Sequence, residues 1–206
     1  MSSDKRLVRT AVLGSTRGSS FVPLLDAWKT SRLGVDFALV VSNRSQAGIL
    51  EKGRGAGIES LAIPVKGRDR VSYDAEVSKL LTSRRVDLVL LLGYMRILSS
   101  EFVKQWEGRI LNVHPSLLPR HGGLMDLEVH ASVLSSGDRE SGCTIHLVNE
   151  TVDGGPIVMQ KRCPVLDDDT PESLKARVQV LEGAAFLEVL SNPLPYLPAL
   201  LQPKAL

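Results

Sequence analysis

Asn112 and His114 stand two residues apart at the end of the apolar run that opens LNVHPSLLPRHGG. Residues two apart on a strand project from the same face, so this spacing presents an amide and an imidazole side by side. Both are N–H donors, and paired donors converging on one point are what a developing oxyanion in acyl transfer requires. Pro115 and Pro119 then stop the strand and turn the chain away. A histidine hydrogen-bonded at a strand end is the competing reading of the same residues. Asp153, in the glycine-rich stretch NETVDGGPIV, is a further candidate. A carboxylate beside an imidazole favours its charged, strongly donating form, whereas an Asp–Gly pair by itself is ordinary turn chemistry.

A second kind of chemistry is suggested by GSTRGSSF, which contains Thr16, Arg17, Gly18, Ser19, Ser20 and Phe21 and opens a helical segment. Small residues let the backbone approach a ligand, and the free N–H groups and dipole at a helix start favour an anion such as phosphate. The stretch fits neither the dinucleotide-binding nor the P-loop glycine pattern, so a tight turn whose serines cap the next helix explains it equally well. His121, His130 and His146 carry the default expectation of surface or internally satisfied histidines. Cys143 and Cys163 form no ligand-spaced cluster with the four histidines. No metal site is therefore expected, and small hydrophobes in a reduced cytoplasmic setting account for the thiols.

The elements that must position these groups are legible from periodicity. RTAVLGS, VDFALVVS, SLAIPV and VDLVLLLG are short apolar runs without polar alternation, the pattern of strands covered on both faces in a parallel sheet. Helix-like segments separate them, such as VSYDAEVSKLL, where Val71, Val77, Leu80 and Leu81 fall roughly on one face. Ser99 is a plausible N-cap for a helix to Trp106, followed by a strand RILNVH, a helix from Asp126 to Leu134, and strands CTIHLV and PIVMQKRCPV. Thr170 as N-cap and Pro171 at the first helical position start a closing helix with Leu174, Val178, Leu181 and Ala185 as its buried stripe. Gln179 and Glu182 then share a different face. The order implies a Rossmann-like, doubly wound, mostly parallel α/β sheet in a single domain over residues 1–192, with a proline-rich tail, 193–206, wrapping the surface.

A chain of 206 residues, 43% hydrophobic and 23% charged, suits one core. A net charge of +2 gives no field for nucleic acid. The first residues lack a signal-peptide apolar region, and no apolar stretch is long enough for a membrane span. The expected partners are small molecules, with no nucleic acid and no membrane, for a cytoplasmic monomer or homodimer.

From about Arg9 to about Ala185 the chain resembles the folate-dependent formyltransferases, specifically the phosphoribosylglycinamide formyltransferase (glycinamide ribonucleotide transformylase) family. The resemblance rests on GYMRILSSEFVKQWEGRILNVHPSLLPRHGG, SGCTIHLVNETVDGGPIV and ARVQVLE. It implies a Rossmann-like formyltransferase fold and 10-formyltetrahydrofolate as formyl donor, without a metal. Asn112, His114 and Asp153 match the family's catalytic Asn, His and Asp. Met95, Arg96, Ile97 and Leu98 match its folate-binding turn, and Arg70 resembles the arginine that contacts folate. Asn149, Glu150, Thr151, Val152 and Asp153 correspond to the loop over the pteridine, with Asn112 beside it. Thr16 to Phe21 correspond to the phosphate loop, while Gln179 and Glu182 match the pair that reaches the nucleotide.

The chain departs from the family's pattern in three places. Thr16 replaces a glycine and Ser20 an asparagine in the phosphate loop, LMDLEVH follows HGG, and Gly183 stands where histidine is common. A threonine is tolerated at position 16 only if its φ is negative. The implied reaction is formyl transfer to the primary amine of glycinamide ribonucleotide in purine biosynthesis. The alternatives are a 10-formyltetrahydrofolate hydrolase, a sugar-nucleotide formyltransferase, or a non-catalytic ligand-binding homologue. A methionyl-tRNA formyltransferase is disfavoured because the residues after the last helix are too few for a tRNA-binding domain.

Overall fold

The computed structural model describes residues 7–201; the first six residues of the expected domain and the last five of the tail lie outside the described residues. The apolar runs form strands β1 (Val8–Leu13), β2 (Val35–Ser42), β3 (Glu59–Ala62) and β4 (Leu88–Leu91), followed by β5 (Ile110–His114), β6 (Glu140–Leu147) and β7 (Ile157–Pro164). They make one seven-stranded sheet in the order β3-β2-β1-β4-β5-β6-β7. β1 to β5 are mutually parallel, and β6 and β7 join antiparallel. The helices are α1 (Val22–Lys29), α2 (Gly48–Gly55), α3 (Arg70–Ser83), α4 (Ser100–Gln105), α5 (Leu127–Ser135) and α6 (Pro171–Ser191). This is the doubly wound, mostly parallel α/β fold that the sequence implies.

Each central strand feeds two cores, which explains why its sequence does not alternate with polar residues. Val12, Leu88 and Leu90 pack with α1, α2 and α6, while Ala11, Leu13, Val89 and Leu91 pack with α3 and α4 on the opposite face. In β2, Val35, Phe37 and Val40 share the first core, although 37 and 40 differ in parity. A register shift opposite Thr10 and Ala11 inserts one residue into β2 and restores the facing.

Two helix faces differ from the periodic reading. Val71 is 46% exposed, and α3 instead buries Tyr73, Asp74, Val77, Ser78 and Leu81. The buried polar groups have a purpose that hydrophobic periodicity does not register. Asp74 accepts from Ser99 N at 2.6 Å, Ser99 Oγ caps α4 by accepting from Phe102 N, and Trp106 Nε1 donates to Ser78 Oγ. On α6 the Thr170 cap forms as expected, with Ser173 completing a capping box. Glu182, however, is only 9% exposed and belongs to the buried side of this helix.

The tail is anchored. Leu197 is fully buried in the first core, with Leu194, Tyr196 and Leu200 packed against it. Truncating Leu197 to alanine removes buried apolar volume that this surface segment cannot readily refill. We expect a loss of about 2–5 kcal/mol in unfolding free energy, measured by denaturant titration. Among the described residues no helix is long and apolar enough to cross a membrane.

After β1 the chain turns towards the α1 side, and after β4 towards the α4 side, so the two connections diverge. That divergence opens a crevice at the carboxyl ends of β1, β4 and β5.

Candidate active site

The crevice is a cleft of about 850 Å³. Its walls come from Thr16 to Ser20 after β1, Leu91 to Leu98 after β4, Asn112 and His114 on β5, the 148–153 loop before β7, and Lys175, Gln179 and Glu182 on α6.

At its centre His114 is buried, with Nδ1 3.1 Å from Asp153 Oδ2 and Nε2 2.9 Å from the backbone oxygen of His121. An imidazole facing an acceptor at each nitrogen satisfies both only when it carries both protons. The nitrogens of His114 are therefore both engaged, and an oxyanion arriving there must share or capture the Nε2–H that His121 now accepts.

Asp153 adopts φ 52, a left-handed conformation unusual for a residue with a Cβ. It is held there from several sides: Gly123 N donates to Oδ2 at 2.9 Å alongside His114. The loop that presents it crosses β6 closely, since a Cβ on Gly155 would lie 1.8 Å from Leu147 O. Burial alone would raise the Asp153 carboxyl, but the His114 hydrogen bond, the neighbouring His146 ring and the Gly123 N–H together outweigh it and hold the group well below the usual carboxylate range.

Asn112 lies opposite His146 in the β5–β6 ladder, and its Nδ2 is 3.1 Å from His146 Nε2. His146 Nδ1 is 2.9 Å from Leu147 O and donates to it, so Nε2 is the nitrogen that meets the amide. Asp153 Oδ1 is farther from the same nitrogen, at 3.5 Å. The second Nδ2 hydrogen of Asn112 remains for a ligand in the cleft. One amide donor and one imidazole donor thus lie on the same strand, backed by a fixed carboxylate, as acyl-transfer chemistry requires.

The chain matches the formyl transferase family over residues 8–190. It belongs to that family. It is 39% identical over 181 residues to phosphoribosylglycinamide formyltransferase of Escherichia coli strain K12, covering 87% of this chain and 84% of that protein. It is 44% identical over 190 residues to the trifunctional purine biosynthetic protein adenosine-3 of Drosophila melanogaster. That alignment covers 91% of this chain but only 14% of the fly protein's length. Glycinamide ribonucleotide transformylase 1 of Symbiobacterium toebii superposes with a TM-score of 0.86 at 36% identity, covering 90% of this chain and 87% of that one.

In this formyl transferase the first turn is built for backbone contacts. Its positive φ falls on Gly18, at 71°, and Thr16 is not among the residues with positive φ, so the threonine is accommodated. The serines do not cap the following helical segments. Ser20 Oγ instead donates to Glu182 Oε2 at 2.7 Å. Burial pushes the Glu182 carboxyl up, against the opposing effect of that bond. Gln179 and Glu182 both reach the cleft wall.

At the other end, Ser15 Oγ accepts from Met95 N at 2.9 Å and donates to Asn43 Oδ1 at 2.6 Å, tying the turns after β1 and β4 together. Arg96 lies over the Tyr73 ring at 4.5 Å, and its buried Nε has no hydrogen-bond partner. Ile97 and Val152 are 54% and 53% exposed, leaving apolar surface for a flat ring to cover. Leu98 is buried and packs in the second core. Asn149 Oδ1 accepts from Thr151 N at 3.0 Å, and Glu150 pairs with Lys104 at 3.5 Å, shaping the loop that carries Val152 and Asp153.

Two expected positions stand apart. Arg70 is exposed at the first residue of α3 and is not in the cleft wall, because the Asp69 cap starts the helix with its side chain outside the crevice. Phe21 is fully buried, edge-on to Phe37 with ring centroids 5.2 Å apart, and its N–H is taken by Gly18 O at 3.2 Å. Neither its ring nor its N–H is available to a ligand. Among the described residues no group of three or more His, Cys, Asp or Glu is arranged as metal ligands.

Among the histidines, His146 is internally satisfied as expected, whereas His130 is not. None of His114, His130 and His146 is a surface residue, and all three line the cleft. His130 is 1% exposed and its Nδ1 has no partner. Burial, assisted by Lys175, pushes its imidazole down from 6.5 to about 4. A base with a depressed folded pKa takes up its proton preferentially on unfolding, so its neutral form is stabilising above pH 6.5 and that contribution is lost as pH falls towards about 4. In urea titrations at pH 7, 5.5 and 4.5, His130→Gln should lose less stability over this interval than the parent protein.

Proposed function

We propose that the chain transfers the formyl group of 10-formyltetrahydrofolate to the primary amine of glycinamide ribonucleotide, the phosphoribosylglycinamide formyltransferase reaction of purine biosynthesis, in the cytoplasm. The observation that carries this reading is the placement of Asn112, His114 and Asp153 in one cleft between a small-residue anion turn and exposed apolar side chains. The names of the full-length bacterial relative and of the superposed transformylase support the same reaction.

The substrate phosphate would sit against the backbone of Thr16 to Ser20, with Arg17, Arg44 and Lys175 supplying positive charge along the wall. Gln179 and Glu182 would receive the ribose hydroxyls, Glu182 exchanging its Ser20 bond for one to the ligand. Folate would lie across Ile97 and Val152, with Met95 to Leu98 on one side and Asn149 to Asp153 on the other.

The amine lone pair attacks the formyl carbon, forming the new C–N bond and placing the carbonyl π pair on oxygen. Asn112 Nδ2–H and His114 bind that oxyanion. Asp153 holds the His114 ring in orientation through Nδ1. A proton then passes from the attacking nitrogen, through water held near Asp153, to N10 of the folate, whose bond to the formyl carbon breaks as the oxyanion collapses. The products are the formamide and tetrahydrofolate.

The test is to incubate the protein with 10-formyltetrahydrofolate, with and without glycinamide ribonucleotide, and follow tetrahydrofolate release. Release that requires the nucleotide supports the proposal. Release without it identifies a hydrolase, and no release in either case removes the enzymatic reading.

A further inference from the structure

We propose that His121 is a positioning residue for the formyl-transfer reaction, its side chain locking the short segment that grips the His114–Asp153 pair at both ends. This rests on the function proposed above. The His121 carbonyl lies 2.9 Å from His114 Nε2, and two residues later Gly123 N donates to Asp153 Oδ2 at 2.9 Å. One stretch of three residues therefore fixes the outer nitrogen of the imidazole and an oxygen of its carboxylate partner.

Such a grip is only as firm as its backbone, and this backbone is strained. The strain sits at His121, with φ 59, whereas the φ 80 of Gly123 is one that glycine adopts freely. A non-glycine residue in that region is disfavoured and persists only where its surroundings enforce it. The enforcement comes from the ring of His121, whose side chain is 8% exposed. Its Nε2 is 2.9 Å from Asp138 Oδ2, and its Nδ1 is 2.8 Å from Ser132 Oγ. A carboxylate can only accept, so Nε2 donates to Asp138, while Nδ1 and the Ser132 hydroxyl share a hydrogen bond. Arg120 pairs with Asp138 as well, and Ser116 Oγ donates to Arg120 O at 2.7 Å, so the residue before His121 is also tied down.

Ser132 lies on α5 and Asp138 on the turn that follows it, and neither is in the cleft wall. They reach the reaction through the segment they anchor, Ser132 through His121 and Asp138 through His121 and Arg120. The bonds run from Asp138 and Ser132 through the imidazole of His121 to its carbonyl, and from there to His114 and Asp153.

The experiment compares the parent protein with Ser132→Ala, Asp138→Ala and His121→Asn. Asparagine accepts the left-handed conformation, so the third variant removes the anchors with little added backbone strain. Two readouts are taken: kcat and KM for both substrates, and the ¹⁵N and ring-proton resonances of His114. We expect kcat to fall on the order of 10-fold in each variant, since small misplacements of a reacting constellation are costly. KM should stay unchanged and the His114 Nε2 resonance should move towards that of a ring free of the carbonyl. Unmoved His114 resonances would overturn the proposal whatever the rates, as would moved resonances with parental kcat. A loss of thermal stability with both readouts unchanged would reduce His121 to a structural residue. If the parent protein itself transfers no formyl group, the functional reading fails, and the resonances still report whether the anchors hold His114.

Discussion

Asn112→Ala is expected to lower kcat about 10²–10³-fold, the usual cost of deleting one oxyanion donor, with little change in folate affinity. Asn112 is partly exposed to the cleft and makes one side-chain hydrogen bond, to His146. Truncation leaves the β5 backbone pairing with β4 and β6 intact and frees Nε2 of His146. The fold should survive, so the loss belongs to the transition state, where the carbonyl oxygen gains its charge. Steady-state kinetics beside a thermal melt separates the two effects. Near-parental turnover in a folded variant removes Asn112 from the reaction.

Asp153→Asn is expected to be more damaging, on the order of 10³–10⁴-fold in kcat, comparable with the loss when an acid that orients a catalytic histidine becomes an amide. Asparagine tolerates the left-handed backbone at this position, so the loop conformation is not the variable. The variable is donor and acceptor chemistry. In the parent protein Oδ2 receives both His114 and the Gly123 N–H. An amide oxygen can take over both bonds, but it carries no negative charge to set against the ring and the developing transition state, and the NH₂ replaces Oδ1 on the side that faces His146.

The same substitution has a stability signature. The Asp153 carboxyl is held below its ordinary value in the folded protein. Its contribution to stability is therefore fully present above the unfolded carboxyl value, about 3.9, and is lost as pH falls through the folded value. The stability gap between parent and Asp153→Asn should be widest near neutral pH and shrink below about pH 4, as read by denaturant titration.

What could be read from the sequence, and what could not, divides along physical lines. The parallel strands were legible because burial on both faces leaves no polar alternation in β1, β2 and β4. Asn112 and His114 were legible because strand periodicity alone puts them on one face. His146 was not: it lies on a recognisable strand, but its partnership with Asn112 depends on the β5–β6 register, which the intervening chain sets. Val71 and Glu182 exchanged their expected places because α3 and α6 bury polar groups that have partners, Asp74 with Ser99 and Glu182 with Ser20.

Phe21 belongs to the motif by position and to the core by size, and motif matching does not separate those roles. His121 depends on contacts with Ser132 and Asp138 across a turn whose path no local pattern specifies. The departure after His121–Gly–Gly, visible in the sequence as an unfamiliar stretch, includes Asp126, which pairs with Lys175 at the cleft wall.

The central claim is direct transfer, in which the formyl oxygen becomes the oxyanion held by Asn112 and His114 and returns as the product carbonyl. The most direct test is to run the reaction with 10-formyltetrahydrofolate and glycinamide ribonucleotide in H₂¹⁸O and measure the isotope in the products by mass spectrometry. The account predicts a formylated nucleotide without ¹⁸O and no labelled formate. Labelled formate accumulating in place of that product, or ¹⁸O in its formamide, would contradict it.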